Sequence, residues 1–123
     1  MAAEITVSAS LQVDNGTIDD ALSKVGIHFD WTTHKYTKIV QAIGTSEEAI
    51  DLGEVTSLGW IIAINLDNTN YVELRLGTGA SNDMIKLPAK GGCAVFHAGS
   101  DMTAPFAIAN TASCNVAFLI LSQ

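Results

Sequence analysis

The chain has few charged residues: Asp, Glu, Lys and Arg make up 15% of its 123 residues, against about a quarter in an average soluble protein. Acidic residues outnumber basic ones by 13 to 6, which gives a net charge of -7 at neutral pH. Because binding to phosphates and anionic lipids depends on clustered Lys and Arg, this composition argues against nucleic-acid and membrane partners. Since 48% of the residues are hydrophobic, we expect other subunits to cover part of the surface.

Long apolar runs are also lacking. No stretch reaches the roughly 18 to 20 consecutive apolar residues of a membrane span, and even Ala94 to Phe106 is interrupted by polar residues. The first residues, Met1 to Glu4, lead straight into an alternating pattern and lack the basic start and apolar run of a secretory signal. We therefore expect the chain to begin in the cytosol.

Cysteines are scarce and show no metal or redox spacing. Cys93 and Cys114 lie far apart in apolar, strand-like segments, without a Cys-x-x-Cys pattern. In a cytosolic chain this favours two buried, reduced thiols, and a disulfide between them is the alternative.

Alternation of apolar and polar residues dominates the N-terminal region. From Glu4 to Asp14 the pattern has a period of two, which predicts a strand with one apolar face, formed by Ile5, Val7, Ala9, Leu11 and Val13. The residues Asp14 to Gly16 tolerate positive φ and predict a turn. The segment Thr17 to Val25 is predicted as the one helix, with Thr17 as its cap, and a short strand follows from Ile27 to Trp31.

Two β-rich segments in the middle of the chain predict a hairpin. Gly59 to Leu66 and Tyr71 to Leu76 are joined by Asp67 to Asn70, a four-residue loop of turn-forming residues. The first arm is nearly continuous in apolar residues, so we expect it to be central and covered on both faces. The second arm alternates, which places Val72 and Leu74 with Leu76 on the inner face.

The rest of the chain predicts short strands separated by turns. They span residues 36–43, 84–87, 93–97, 105–109 and 114–121, with a short edge element at 49–52. Eight or nine short strands with almost no helix indicate an all-β chain forming one domain, residues 1–123, as a two-sheet antiparallel β-sandwich. A jelly roll is the preferred topology. Residues 1–14 form an N-terminal strand or arm.

The histidines do not predict a catalytic or metal site. His28 and Asp30 could share one face of a strand and His34 is near, but no third ligand completes a metal site. His97 is expected to be a hydrogen-bonded residue of the sandwich. We predict no catalytic, cofactor-binding or metal-binding residues, and no enzymatic activity.

Other polar and aromatic clusters have simpler structural interpretations. The acidic group Glu47, Glu48, Asp51 and Glu54 lacks the spacing of a calcium loop and is interpreted as a solvated turn. Gly77-x-Gly79 lacks the following helix and Lys of a phosphate-binding loop. Sugar stacking would need aromatic residues on one outer surface, whereas core packing is expected for Trp60, Tyr71, Phe96, Phe106 and Phe118.

Several segments of this chain resemble small virion proteins of tailed bacteriophages. They are the GTSEEAIDLG turn within Ile43 to Val55, the pair Gly59-Trp60, the NLDNTNYVEL segment from Asn65 to Leu74, and Lys86 to Gly91 followed by Phe96. The resemblance spans roughly Tyr36 to Ser122, and its motifs are structural.

The resemblance implies a non-enzymatic structural protein of the virion, assembled in the host cytoplasm and commonly oligomeric, with a trimer favoured. Its first implied function is to decorate or cement the capsid, with the major capsid protein or another virion protein as partner. The first strand, Glu4 to Val13, could also complete a neighbour's sheet by edge addition.

Two alternatives remain open at this point. A head or tail appendage that binds a receptor or carbohydrate would show exposed aromatic residues in its loops, which here contain mostly Gly, Ser, Asn and Asp. A small hydrolase of the cupin-like sandwich type would need at least two clustered His and a carboxylate on inward-facing strand positions, and the three scattered His argue against it.

Overall fold

The computed structural model describes residues 4–75, 84–99, 102 and 104–123. The chain divides into two compact units, Met1–Thr32 and Thr33–Gln123. The described residues form ten β-strands and no α-helix, and every strand pairing is antiparallel. The prediction of an all-β, two-sheet antiparallel sandwich is thereby confirmed. The loop predicted over Gly77 to Asp83, together with Leu76, lies outside the described residues.

The first unit is a long β-hairpin. β1 (Ile5–Asp14) pairs along its whole length with β2 (Asp19–Phe29). The predicted turn is confirmed: Gly16 has a φ of 87°, and the Asn15 Oδ1 atom accepts hydrogen bonds from the amides of Thr17 and Ile18 at 3.0 and 2.7 Å. The side chain of Asn15 therefore closes the turn that starts β2.

The helix predicted over Thr17 to Val25 is wrong, because Asp19 to Val25 belong to β2 and Thr17 and Ile18 precede it. A helix of that length is marginal unless it packs on other elements. Pairing with β1 instead satisfies the backbone groups of the segment that face β1, and it sets Leu22 directly opposite Leu11. Asp19 and Asp20 resemble the acidic first turn of a helix in the sequence. In the structure they lie at the start of β2, near the exposed tip of the hairpin.

One irregularity interrupts the hairpin. The register shifts between Val7 and Ala9, whose partners are Ile27 and Lys24, so that β2 contains one extra residue. Gly26 adopts a φ of 69° there, and its amide donates to the Ser8 Oγ atom at 2.9 Å. A glycine at positive φ is the usual way to form such a bulge. Because of this extra residue, Ile27 on one side of the bulge and Leu22 on the other lie on the same face of the hairpin.

The second unit contains two four-stranded sheets. Its strands are β3 (Tyr36–Ile43), β4 (Glu48–Ala49), β5 (Leu58–Asn65), β6 (Val72–Arg75), β7 (Met84–Leu87), β8 (Cys93–His97), β9 (Phe106–Ala109) and β10 (Cys114–Ser122). The first sheet has the order β3-β10-β5-β8, and the second has the order β4-β9-β6-β7. Most consecutive strands therefore lie in different sheets, and the last strand is inserted between β3 and β5.

The hairpin predicted from Gly59 to Leu76 is also wrong. Its two arms exist as β5 and β6, but β5 pairs with β8 and β10 while β6 pairs with β7 and β9. The residues between them cross from one sheet to the other. Turn-forming residues between two strands are compatible both with a hairpin and with such a crossing. The choice between the two depends on pairing with strands that are distant in sequence.

The hydrophobic core lies between the two sheets. Its largest fully buried side chains are Phe118, Ile43, Leu74, Leu87, Ile120, Val72 and Val116. β10 alternates between buried and half-buried or exposed residues along its whole length, and β6 buries Val72 and Leu74 as predicted. β5 is central, as predicted, but only one of its faces is fully buried.

Candidate functional site

The histidines are distributed over the fold and are used in local contacts. The His28 Nδ1 atom lies 3.1 Å from the Thr6 Oγ1 atom across the hairpin. The His97 Nδ1 atom lies 2.9 Å from the carbonyl oxygen of Ala98, and its ring meets Trp60 edge to face with centroids 5.3 Å apart. Within the described ranges, no group of three or more His, Cys, Asp or Glu side chains could hold a metal ion.

The acidic cluster binds protein groups. The Glu47 Oε2 atom accepts from the Arg75 Nη1 atom at 2.6 Å. The Glu48 Oε2 atom accepts from the amide of Gly44 at 3.0 Å, and the Asp51 Oδ1 atom accepts from the amide of Gly53 at 2.9 Å. These carboxylates hold the turn between β3 and β5 in place.

Asn65 and Asp67 stabilise the crossing between the sheets. The buried Asn65 Nδ2 atom donates to the carbonyl oxygens of Asn70, Leu87 and Pro88 at 2.9, 3.1 and 3.3 Å. The Asp67 Oδ2 atom accepts from the amides of Asn70 and Thr69 at 2.7 and 3.0 Å. These two hydrogen bonds lower the pKa of Asp67 below its usual value.

The two cysteines differ from each other. Both are free, but Cys114 is buried and Cys93 is exposed, so the prediction of two buried thiols is right only for Cys114. Burial raises the pKa of the Cys114 thiol, and the nearby Asp67 carboxylate adds to the effect. Cys93 is exposed because it occupies the outer side of edge strand β8, opposite Ile64.

The aromatic residues do not form one binding surface. Phe118 is fully buried in the core, as predicted. Trp60, Phe96 and Phe106 are half-buried and lie on β5, β8 and β9, and the half-buried Tyr71 directly precedes β6. The Lys86 Nζ atom lies 4.2 Å from the centre of the Tyr71 ring, a distance typical of a cation–π contact.

The outer side of the first sheet is largely apolar. Strand alternation and pairing give this surface, here called the apolar sheet face, its members: Val40, Ile62, Ile64, Val95, Ala117, Leu119 and Leu121. Val40 is 61% exposed. Lys38 is the one Lys, Arg, Asp or Glu residue on this side among the described strands. An open depression of about 440 Å³ lies on the face, beside Val40, Ile62 and Leu119.

The outer side of the second sheet is different in character. It presents Glu73, Arg75 and Lys86 on neighbouring strands, with Glu73 directly opposite Lys86. Arg75 forms the ion pair with Glu47, and Lys86 covers Tyr71. This side thus combines these three charged residues with the apolar Met84, Phe106 and Ile108, whereas the apolar sheet face has Lys38 as its one charged residue among the described strands. The two outer sides of the sandwich are therefore not equivalent.

The hairpin carries a second exposed apolar surface. Residues directly opposite each other in an antiparallel pair point to the same side, so Leu11 and Leu22 lie together on one face, next to Val13. Leu11 is 78% exposed, Leu22 82% and Val13 48%. Two-stranded hairpins are only marginally stable alone in water. This face, here called the hairpin apolar face, is one that a partner could cover.

The position of the apolar sheet face was not predicted from the sequence, although the sequence contains a signal for it. β5 and β10 are nearly continuous in apolar residues, which predicts strands covered on both faces. The core covers one face of each strand. The apolar residues on the other face form a surface that remains exposed in the single chain.

Comparison with known proteins identifies no relative. No family model, no curated protein and no solved structure matches this chain. Among the described residues, no helix has the length and apolar character needed to cross a membrane.

Proposed function

We propose that this protein is a non-enzymatic structural subunit of a phage virion that decorates or cements the capsid by packing against neighbouring subunits. The observation that carries the proposal is the apolar sheet face, where Val40, Ile62 and Leu119 lie exposed or half-buried. In the strands that the structure describes, Lys38 is the one charged residue on this side. Contiguous apolar patches on a protein surface mark sites of association. The opposite side of the sandwich, which carries Glu73, Arg75 and Lys86, would then face water.

The order of the strands supports a jelly-roll topology within this proposal. Eight strands form two four-stranded sheets, with the first strand of the sandwich beside the last. Two nested Greek keys give such an arrangement, and viral capsid domains are among the proteins built on it. The sequence resemblance from Tyr36 to Ser122 to small virion proteins of tailed bacteriophages is a separate line of support.

The proposed mechanism is additive burial of apolar area. Removing apolar surface from water stabilises an assembly by roughly 25 cal/mol per Å². Although a single small contact is weak, a subunit present in many copies bridges many neighbours, and the contributions add over the lattice. We propose a homo-oligomer, with a trimer favoured, as the unit that binds the major capsid protein.

The test uses virions made with and without the gene for this protein. We expect particles lacking it to lose outer capsid density in electron micrographs and to release their DNA at a lower temperature. Adding the purified chain should restore both properties. Particles that change only at the tail would favour an appendage instead, and particles with an unchanged capsid and tail would contradict a structural role.

A matched pair of variants connects this test to the surface. Val40→Glu introduces a charge into the apolar sheet face, whereas Met84→Glu introduces the same charge on the other side, where Met84 is 40% exposed. We expect Val40→Glu to lose binding to the deficient particles and Met84→Glu to retain it. Equal binding by both variants would mean that another surface makes the contact.

A further inference from the structure

We propose that the hairpin is a self-complementary docking element, which binds the hairpin of a second copy of this chain face to face and end over end. The inference rests on the proposed role as an assembling structural subunit. It concerns the hairpin apolar face, which is separate from the apolar sheet face used above. The occupant is identified by the order of charged and apolar residues along this hairpin.

The outer half of the hairpin apolar face consists of three successive pairs of opposite residues. Val13 lies opposite Asp20 near the tip, Leu11 lies opposite Leu22 in the middle, and Ala9 lies opposite Lys24 towards the base. Each pair is about 7 Å from the next along the strands, because alternate residues share a face. An apolar pair is thus flanked by one acidic residue on one side and one basic residue on the other, both on β2.

The side chains in the middle of this pattern are exposed and have little cover from their own hairpin. Leu11 and Leu22 are 78% and 82% exposed. A shallow depression of about 470 Å³ lies along this part of the hairpin. It is lined by six residues, Leu11, Gln12, Val13, Asp20, Ala21 and Leu22. The surface is therefore both apolar and accessible to a partner.

A two-fold axis makes the pattern complementary to itself. In a two-fold interface the same patch is used on both copies, so residue i contacts residue j and j contacts i. If the axis runs across the strands at Leu11 and Leu22, each leucine meets its counterpart in the second copy. Asp20 of each copy then faces Lys24 of the other, which gives two equivalent ion pairs beside the leucines.

The other face-to-face arrangement lacks this match. With the axis along the strands, each pair would face its own equivalent, so that Asp20 would lie opposite Val13 of the second copy and Lys24 opposite Ala9. Only the end-over-end packing places opposite charges together. Electrostatic complementarity of this kind sets the register and orientation of an interface more than its affinity.

The expected affinity is low, because the contact area is small. Three pairs of residues on each side bury less than the roughly 800 Å² per partner of a standard interface. Such a contact is occupied at high local concentration, as in a lattice of subunits held by other contacts. It would join neighbouring subunits once these are already close together.

The test is a charge-reversal series in the full chain, followed by sedimentation at millimolar concentration. Asp20→Lys makes both pairs Lys against Lys, and Lys24→Asp makes both Asp against Asp. We expect each single variant to raise the dissociation constant of the pairwise association about tenfold or more. The double variant Asp20→Lys/Lys24→Asp restores opposite charges and is expected to associate like the wild type, at the same net charge.

A mixture and a control complete the series. Mixing the two single variants should give a heterodimer, since every pair is then Lys against Asp. The control Ser23→Lys adds a charge on the opposite face of the hairpin, because Ser23 pairs with Ser10, and it should leave the association unchanged. Circular dichroism of each variant checks that the chain is folded.

The outcomes separate this contact from the proposed function. A wild-type chain that stays monomeric at these concentrations would overturn both the hairpin contact and the proposed homo-oligomer. A double variant as weak as the single ones would overturn the hairpin contact alone. Equal association of the wild type and all the variants would also overturn the hairpin contact. Such association would have to use another surface, since the variants leave the apolar sheet face unaltered. In each case the structural role is decided by the separate test on virions.

Discussion

At the scale of single residues, the polar side chains nearest the core serve the chain's own backbone. Asn65 is completely buried at the end of β5, and it binds backbone groups of three other residues through its Nδ2 atom. Its Oδ1 atom accepts from the amide of Asp67 at 3.0 Å. A buried amide with its hydrogen bonds made holds loops that have no regular pairing of their own. Asn65 thus has a structural role, whereas the sequence predicted only that it lies within a strand.

The first prediction concerns this amide. Asn65→Ala should lower the free energy of unfolding by about 1–3 kcal/mol, since it leaves buried carbonyl groups without a donor. Urea denaturation measures the loss. Asn68→Ala, in the exposed part of the same loop, is the control and should change stability by less than about 0.5 kcal/mol. Equal effects of both variants would contradict the assigned role.

The second prediction is a pH dependence at Asp67. The pKa of this carboxyl is lowered from 3.8 by its hydrogen bonds to Asn70 and Thr69, so the folded state favours the charged form. Its stabilising contribution is therefore present above about pH 4 and is lost as the pH falls through the lowered pKa. We expect Asp67→Asn to be less stable than the wild type at neutral pH, with a difference that shrinks in acid. A difference that stays constant with pH would show that the charge is not involved.

At the scale of elements, β5 and β10 form the centre of the first sheet, and their pairing leaves no room at one position. A Cβ atom on Gly59 would lie 2.7 Å from the carbonyl oxygen of Ser122. The register of β10 against β5 shifts between Ile120 and Ser122. The close approach of these backbones requires glycine, since any side chain would have to push the two strands apart.

The third prediction follows from this contact. Gly59→Ala should destabilise the protein by about 1–3 kcal/mol, the usual cost of forcing an extra methyl group into a packed site. Gly99→Ala is the matched control, because a Cβ atom there meets nothing within 4 Å. Thermal unfolding of the two variants should show a lower Tm for the first alone. A Tm unchanged in both would mean that the strands adjust without cost.

At the scale of the whole molecule, each of the two units exposes one apolar surface. The hairpin presents Leu11 and Leu22, and the sandwich presents the apolar sheet face around Val40. Few charges are available to cover either surface, in agreement with the low charge content of the chain. A protein with two such surfaces can bind a neighbour through each of them, which suits a subunit that links others. The proposed cementing role depends on this property.

The sequence by itself determined the all-β class, most strand positions and the turn at Asp14 to Gly16, because alternation and turn chemistry are local. It did not determine β2, where a helix-like start at Thr17 is overridden by pairing with β1. It also did not show that β5 and β6 belong to different sheets. Pairing between distant strands decides which face of each strand becomes core, so the tertiary structure alone separates the buried apolar residues from those left exposed for a partner.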